Sequence, residues 1–194
     1  VAGSTGAILD RSLMALNNLC TRALVDVRCI AGIPEHRERV LVSDFIEETT
    51  VSAAIEAKAR EIDLIVPDVE LGLSMEVDRQ ILAGAVANLL QNAFKFTRTG
   101  GRVSLKSFSS DDRVLIEIED ECGGLPAGEA EDLFRSFEQR SGDRSGLGLG
   151  LGISRRGVVA NGGKLYVRNL PGKGCVFTVE LPNPAIAKSP TSNP

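Results

Sequence analysis

Two extended segments joined by a short polar turn constrain the fold of this chain more than any other feature. In Val114–Glu119, branched aliphatic residues occupy every second position, and Arg102–Phe108 is a second segment of the same kind. A period of two is typical of a strand with one buried face, and Ser109–Asp112 supplies the turn. The pattern therefore predicts a hairpin-like pair of neighbouring strands.

A helix before this pair carries polar groups on an otherwise apolar surface. It is predicted to begin near Asp78, and spacings of four and three residues place Asn88, Asn92 and Lys95 on one of its faces. Asparagine disfavours a helix interior because its amide competes with the backbone for hydrogen bonds. Two asparagines at these positions therefore indicate a chemical role.

Other helices and strands flank these elements and define the fold class. Helices are predicted from Ser43 or Asp44, where Glu47 completes a capping box, to about Arg60, and over Ile153–Ala160. Strands are predicted at four further places: Val40–Val42, Ile62–Val66, Lys164–Arg168 and Cys175–Leu181. This order predicts an α+β fold, a two-layer sandwich in which helices cover one face of a mixed sheet.

The chain divides into three predicted parts. Residues 1–31 repeat apolar residues at spacings of four and three, which predicts a helix that packs against a helical partner. Residues 32–182 would form the sandwich, and the Pro- and Ser-containing residues 183–194 a disordered tail. Because the sequence starts at Val1 without a methionine, we expect a fragment of a longer protein.

Composition argues against several functions. A net charge of −4 and a pI near 5.2 disfavour a nucleic-acid surface, and no apolar run approaches the roughly 20 residues of a membrane span. The four cysteines, Cys20, Cys29, Cys122 and Cys175, show no metal-ligand or disulfide spacing, so reduced thiols in a cytoplasmic protein are expected. The single histidine, His36, excludes hydrolases that need several candidate bases.

A glycine-rich segment follows the hairpin. Gly146–Gly152 leads directly into the Ile153 helix, where free N–H groups and the helix dipole can bind phosphate. A flexible hinge or close packing would use the same glycines, so both interpretations stay open. The segment has neither the Gly-Lys-Ser/Thr of a P-loop nor the Gly-x-Gly-x-x-Gly of a Rossmann site.

Three further segments indicate a function only when they are considered together. Asp120–Pro126 combines a carboxylate at a strand end with two glycines, which suits an acceptor for an amino group such as that of adenine. In isolation an ordinary turn is the simpler interpretation. Phe134–Phe137 alone is more simply one apolar helix face, and the polar Gln139–Ser145 could be a lid over a ligand.

Taken in order, these segments resemble the nucleotide-binding domain of sensor histidine kinases, in the ATPase superfamily shared with gyrase, the Hsp90 chaperones and the MutL repair proteins. An ordered set of boxes is more specific than any single motif. Five segments within residues 40–182 carry the likeness: an N box (Asn88–Thr97), a first glycine box (Asp120–Pro126), an F box (Phe134–Phe137), a second glycine box (Gly146–Gly152) and a closing strand (Gly172–Pro182).

The resemblance implies a role for each matching residue. Asn92 would ligate Mg²⁺, and Asn88 and Lys95 would contact the phosphates of ATP. Asp120 would accept a hydrogen bond from the adenine amino group, with Gly124 beneath the ring. The positions that hold the phosphates and hinge the lid would be Gly146, Gly148 and Gly150, with Arg140 and Arg144 as additional phosphate contacts.

The sequence departs from the family pattern at two cysteines. Cys122 stands where the first glycine of the Asp-x-Gly-x-Gly box is common, so a different turn is expected there. Cys175 stands where a small hydroxyl residue is common. Neither change removes a ligand, so nucleotide binding is expected to persist.

Asn88 bears on the type of reaction. Hydrolytic members of the superfamily are expected to carry a glutamate base four residues before the magnesium ligand, and an amide cannot accept a proton at neutral pH. Phosphoryl transfer needs mainly positioning and charge stabilisation, so a kinase is favoured over a fast ATPase.

His36 lies in a charged loop and is not the expected acceptor. Residues 1–31 resemble the second helix of the family's dimerising hairpin, and the phosphoacceptor helix would precede Val1.

The expected protein is therefore the ATP- and Mg²⁺-binding catalytic domain of a sensor histidine kinase, with no catalytic side chain assigned in this chain. It would transfer the γ-phosphoryl group to a histidine outside the fragment and thence to a response-regulator receiver domain. We expect a homodimer of the full-length protein, a cytoplasmic location with any membrane anchor upstream, and no nucleic-acid partner. Two alternatives stay open: a slow ATPase of the same superfamily, and a non-catalytic, nucleotide-sensing interaction module.

Overall fold

Residues 36–125 and 150–184 are described by the structure, a computed structural model, together with Gly6, Ser12 and Leu16. The latter three have helical backbone, and the rest of the predicted helix over residues 1–31 lies outside the described residues. The elements, in chain order, are β1 (Glu38–Leu41), α1 (Val42–Ala59), β2 (Asp63–Ile65), β3 (Ser74–Val77), α2 (Arg79–Phe96), β4 (Arg102–Ser110), β5 (Arg113–Asp120), α3 (Gly150–Ala160), β6 (Lys164–Leu170) and β7 (Gly174–Pro182).

A five-stranded sheet in the order β2-β4-β5-β7-β6 forms one layer of the fold. The β2–β4 pair is parallel and the other pairs are antiparallel, while β1 and β3 form a separate antiparallel pair. The helices α1, α2 and α3 contact strands of this sheet and pack over its apolar face. This arrangement confirms the predicted α+β sandwich. No helix in the described ranges is both long and apolar enough to cross a membrane.

Strand β5 shows how the alternating sequence places a carboxylate on the core side. Val114, Ile116 and Ile118 are completely buried, and the positions between them are partly exposed. Asp120 is the next position on the buried face, directly opposite Val103 of β4. Because paired residues of an antiparallel ladder share a face, Asp120 ends β5 on the side that the helices cover.

Helix α2 begins at the predicted residue and is anchored to α3. Its N-cap is Asp78, whose side chain accepts a hydrogen bond from the Ile81 N–H at 3.2 Å. The backbone N–H of Asp78 donates to the side chain of Asn161, at the end of α3, at 2.6 Å. Further along, the Ser154 hydroxyl donates to the Ala85 carbonyl at 3.1 Å. These bonds fix the two helices relative to each other.

The predicted capping box at the start of α1 is wrong. The N-cap is Leu41 without a side-chain cap, and the Ser43 hydroxyl donates to the Asp44 carboxylate instead. Strand β1 runs directly into the helix, and the Val42 N–H donates to the Leu73 carbonyl at 2.9 Å. Leu73 immediately precedes β3, a strand that the sequence pattern did not predict. The neighbouring chain thus satisfies one of the N–H groups at the helix start that have no partner within the helix.

Candidate functional site

The three polar residues predicted on one face of α2 differ in burial. Asn88 is 4% exposed, whereas Asn92 and Lys95 are half-buried. Within residues 36–125 and 150–184 neither asparagine side chain has a hydrogen-bond partner. The amide of Asn88 can therefore take a polar ligand as its hydrogen-bond partner.

Lys95 lies at the C-terminal end of α2. Its Nζ is 5.0 Å from the centre of the Phe96 ring, a cation–π distance, and Phe96 is 48% exposed. A cation in the last helical turn also interacts favourably with the helix dipole. The ammonium group is therefore held near the exposed end of the helix that carries both asparagines.

Asp120 is held by backbone groups on both sides. Its Oδ1 accepts hydrogen bonds from the N–H of Cys122 at 3.0 Å and from the N–H of Cys175 at 3.1 Å. Burial raises the pKa of this carboxyl above its ordinary value, and the hydrogen bonds to Cys122 and Cys175 offset part of that effect. No backbone N–H of the described residues binds the second carboxylate oxygen. Asp120 therefore presents a positioned acceptor at the end of β5.

A tight turn follows Asp120. Gly123 and Gly124 adopt φ of +88° and +91°, which L side chains rarely adopt. A Cβ on Gly124 would lie 3.0 Å from Asn169 Oδ1 and 3.1 Å from the Leu170 carbonyl oxygen. The Asn169 side chain accepts from the Leu125 N–H at 2.8 Å and donates to the Leu125 carbonyl at 2.9 Å. Close packing against β6 thus requires glycine at position 124. The expectation that Gly124 lies beneath the adenine ring stays a prediction.

Asn169 was not identified from the sequence. Its partner Leu125 lies 44 residues away along the chain, and no local motif marks an asparagine near the end of a strand as the clamp of a distant turn. The register of β6 and β7, which pairs Asn169 with Cys175, is what brings it to the turn. The clamp fixes the last described residues before residues 126–149.

Cys122 and Cys175 lie side by side, although 53 positions separate them in the sequence. Their Sγ atoms are 3.3 Å apart, and both are free thiols. One carboxylate oxygen of Asp120 and the two sulfur atoms all lie within 4.8 Å of one another. Both cysteines are free thiols, as expected, but their spacing in the sequence did not indicate that they lie close enough to Asp120 to hold a metal ion together. The strand register, which sequence spacing does not reveal, creates the cluster.

A short hydrogen-bond chain connects the end of α2 to the end of β5. The Thr97 hydroxyl accepts from the Glu121 N–H at 3.3 Å, and the Glu121 carboxylate accepts from the Arg102 N–H at 3.0 Å. Thr97 is the C-cap of α2, and Glu121 follows Asp120. The last residue of the predicted N box is thus joined to the first glycine box.

Of the predicted glycine-rich phosphate-binding segment, the part from Gly150 onwards lies within the described residues. Gly150 is the first residue of α3, so it stands at the helix N-terminus where phosphate binding was predicted. The helix begins three residues before the predicted Ile153. Several other predicted positions lie outside the described residues: Gly146, Gly148, Arg140, Arg144 and the segment Phe134–Phe137.

Comparisons with known proteins agree with this arrangement. The alginate biosynthesis sensor protein KinB of Pseudomonas aeruginosa is 34% identical over 128 residues, which is 64% of this chain and 21% of KinB. The sensor protein TorS of Escherichia coli is 32% identical over 169 residues, covering 82% of this chain and 18% of TorS. The chain thus spans about a fifth of the length of these curated relatives.

Two solved structures share the fold at 25% sequence identity. Full-length ShkA in complex with AMPPNP has a TM-score of 0.75, over 89% of this chain and 36% of ShkA. The nucleotide-free catalytic domain of the histidine kinase ThkA has a TM-score of 0.69, over 76% of this chain and 96% of that domain. The sequence model described as "Histidine kinase-, DNA gyrase B-, and HSP90-like ATPase" matches residues 77–185, from the end of β3 through β7. The chain therefore belongs to the histidine kinase-, DNA gyrase B- and HSP90-like ATPase family.

Proposed function

We propose that this chain is the ATP- and Mg²⁺-binding catalytic part of a sensor histidine kinase. The observation that carries the proposal is the environment of Asp120. A carboxylate at the core-facing end of a strand is unfavourable unless it is hydrogen-bonded, and here two backbone N–H groups hold one of its oxygens. An acceptor kept in place at this cost suits recognition of a ligand.

The exocyclic amino group of adenine is the ligand group that matches Asp120. It donates hydrogen bonds, and an ionised carboxylate only accepts them. A guanine-type carbonyl at the same position would face the carboxylate acceptor to acceptor, so the site would select adenine. The ShkA structure, which contains the ATP analogue AMPPNP, supports the same ligand class for this chain.

Asn88, Asn92 and Lys95 fit the phosphate end of such a ligand. Asn92 offers a neutral oxygen from a half-buried position, which suits Mg²⁺ because this cation retains waters and phosphate oxygens as its other ligands. Bound with ATP, Mg²⁺ would neutralise charge on the triphosphate. Asn88 and Lys95 would contact phosphate oxygens directly, and Gly150, Gly148 and Gly146 would supply backbone N–H groups at the start of α3.

Phosphoryl transfer is favoured over hydrolysis because of Asn88. One helical turn before the proposed magnesium ligand, its amide cannot activate water as a base. The described part of the chain contains one histidine, His36, which is exposed just before β1. We infer that the phosphoacceptor histidine belongs to a helix upstream, that residues 1–31 form the second helix of that hairpin, and that the full-length protein is a homodimer.

The downstream partner in this proposal is the receiver domain of a response regulator. The histidine kinase ThkA has been solved in complex with the response regulator TrrA, and its fold matches this chain with a TM-score of 0.67. The domain limits in the same proposal are a partial hairpin at 1–31, the ATP-binding domain at 32–182 and a tail at 183–194, whose first residue, Asn183, is buried and donates its N–H to the Asp112 carbonyl.

Calorimetry with a non-hydrolysable ATP analogue tests the binding proposal. Asn92→Ala is expected to weaken affinity at least tenfold when Mg²⁺ is present and much less in EDTA. Gln91→Ala is the matched control, since Gln91 is the preceding residue of the same helix, is similarly half-buried and lines the groove between α1 and α2. Equal affinities of the parent and Asn92→Ala with Mg²⁺ would reject Asn92 as the magnesium ligand.

A turnover assay separates the kinase from the alternatives. The chain alone is expected to bind nucleotide, to release no phosphate above background, and to acquire no phosphohistidine. The full-length protein is expected to become phosphorylated on a histidine, and this phosphoryl group is expected to be lost in acid. Steady-state hydrolysis by the chain alone would favour the slow ATPase, and nucleotide binding without phosphohistidine in the full-length protein would favour the sensing module.

A further inference from the structure

We propose that Cys122, Cys175 and Asp120 form a binding site for a thiophilic divalent cation such as Zn²⁺, and that a cation held there excludes nucleotide. The cation site stands on its own geometry. Only the exclusion of nucleotide rests on the proposed function, because it requires Asp120 to be the carboxylate that reads adenine.

The three ligand atoms already lie close together. The two sulfur atoms are 3.3 Å apart, and one atom from each of the three side chains fits within 4.8 Å. A tetrahedral zinc ion with Zn–S bonds of about 2.3 Å separates its sulfur ligands by about 3.8 Å. Small side-chain rotations would therefore suffice, without a change of strand register.

The chemistry of the donors selects the cation. Two thiolates favour Zn²⁺ over Mg²⁺, which prefers oxygen ligands in octahedral geometry. The site is thus distinct from the proposed magnesium position at Asn92, which offers an amide oxygen. With three protein ligands, a fourth tetrahedral position is left for water or another ligand.

The surroundings of the cluster support the carboxylate as a ligand. The N–H groups of Cys122 and Cys175 bind Asp120 Oδ1, and this second layer of hydrogen bonds orients the carboxylate. Cys122 and Cys175 therefore each contribute a backbone N–H donor to Asp120 and a thiol ligand to the proposed cation site. Cys175 is buried, whereas Cys122 is partly exposed and provides the entry side.

Cation binding displaces two protons. Without a cation both cysteines are free thiols. On binding, each S–H bond breaks, its proton passes to solvent, and the sulfur electron pair binds the cation. The cation also compensates the charge of the Asp120 carboxylate, which is buried at the end of β5.

The test is a titration of the chain with Co²⁺, a spectroscopic substitute for Zn²⁺, in a non-thiol reductant. One equivalent is expected to produce near-ultraviolet thiolate-to-cobalt absorption, and Zn²⁺ is expected to displace it. Cys122→Ser and Cys175→Ser should each weaken binding at least tenfold. Cys20→Ser and Cys29→Ser, the other two cysteines of the chain, are the matched controls and should change neither absorption nor affinity.

Folding is controlled in the same experiment. Cys175 is buried, so Cys175→Ser can lower the midpoint of thermal unfolding. Cys122→Ser alters a partly exposed side chain and therefore still tests the site if Cys175→Ser is destabilised. Cobalt binding without thiolate absorption, or unchanged affinity in Cys122→Ser, would overturn the proposal.

Competition tests the exclusion of nucleotide. Zn²⁺ is expected to reduce the affinity of the parent for adenosine, a phosphate-free probe that avoids binding of Zn²⁺ to the triphosphate, at least tenfold relative to EDTA. In Cys122→Ser, Zn²⁺ should reduce the affinity for adenosine less than twofold relative to the affinity of the same variant in EDTA. A ternary complex at undiminished affinity would contradict exclusion. Cobalt bound through thiolates in a chain that binds no nucleotide would instead reject the proposed function and retain the cation site.

Discussion

The backbone N–H of Cys175, near the start of β7, donates to Asp120 Oδ1 at the end of β5 at 3.1 Å. Asp120 and Cys175 are directly opposite each other in the β5–β7 ladder, so the bond crosses a register pair. A strand pairing far apart in sequence thereby positions the carboxylate proposed to read adenine. The same pairing places the Cys175 thiol against Cys122.

Asp120→Asn is expected to stabilise the unliganded chain at neutral pH. Because burial raises the pKa of Asp120 in the folded state above its ordinary value of 3.8, this group favours folding when protonated. That contribution is lost as pH rises from 3.8 through the folded-state pKa. The asparagine removes the cost of the buried charge and still offers an oxygen to the two N–H groups.

Chemical denaturation at pH 4 and pH 7 checks this prediction. The gain in unfolding free energy of Asp120→Asn over the parent should be larger at pH 7. Asp112→Asn, in the exposed turn between β4 and β5, controls for the loss of one negative charge. A variant that is less stable than the parent at pH 7 would contradict the view that Asp120 is kept for function at a cost in stability.

Gly124→Ala is expected to destabilise the chain by about 1–3 kcal/mol, since the added Cβ combines backbone strain with a clash against β6. Gly72→Ala is the matched control, because Gly72 also has positive φ, +77°, but a Cβ there would meet nothing within 4 Å. The difference between the two variants in denaturation midpoint isolates the clash. Equal losses of stability would show that φ alone requires glycine at position 124.

Two asparagines at strand and helix ends are expected to separate binding from stability. Asn169→Ala removes the clamp on Leu125 and should weaken nucleotide affinity severalfold, because the turn after Asp120 loses its support. Asn161→Ala leaves the buried Asp78 N–H and Gly157 carbonyl without partners and should cost about 2–3 kcal/mol of unfolding free energy. Calorimetry and denaturation of both variants check the pair. The contrast fails if Asn169→Ala binds nucleotide like the parent, or if Asn161→Ala is as stable as the parent.

Local patterns in the sequence predict much of the fold. The alternation in β5, the Asp78 cap of α2 and the positions of the strands other than β3 follow from periodicity and short-range hydrogen bonding. The failures arise where a distant segment replaces a local signal. At the start of α1 the Leu73 carbonyl binds the Val42 N–H, and the helix begins at Val42, before the predicted caps Ser43 and Asp44.

The candidate site divides in the same way. The residues assigned from ordered boxes are close in sequence, so an N box and a first glycine box could be predicted without a structure. The Asn169 clamp and the Cys122–Cys175 contact join positions 44 and 53 residues apart, and they depend on the register of β5, β6 and β7. Sequence spacing carries no information about such pairs until the strand order is known.

The most direct test of the central claim compares ATP with inosine triphosphate, which has a carbonyl in place of the adenine amino group. The parent is expected to bind ATP at least tenfold more tightly, since the carbonyl leaves the Asp120 acceptor unpaired, and Asp120→Asn is expected to lose most of that preference. Calorimetry of the four combinations in Mg²⁺ gives the result. If the parent binds both nucleotides equally, or if Asp120→Asn keeps the parent's preference, Asp120 does not read the adenine amino group.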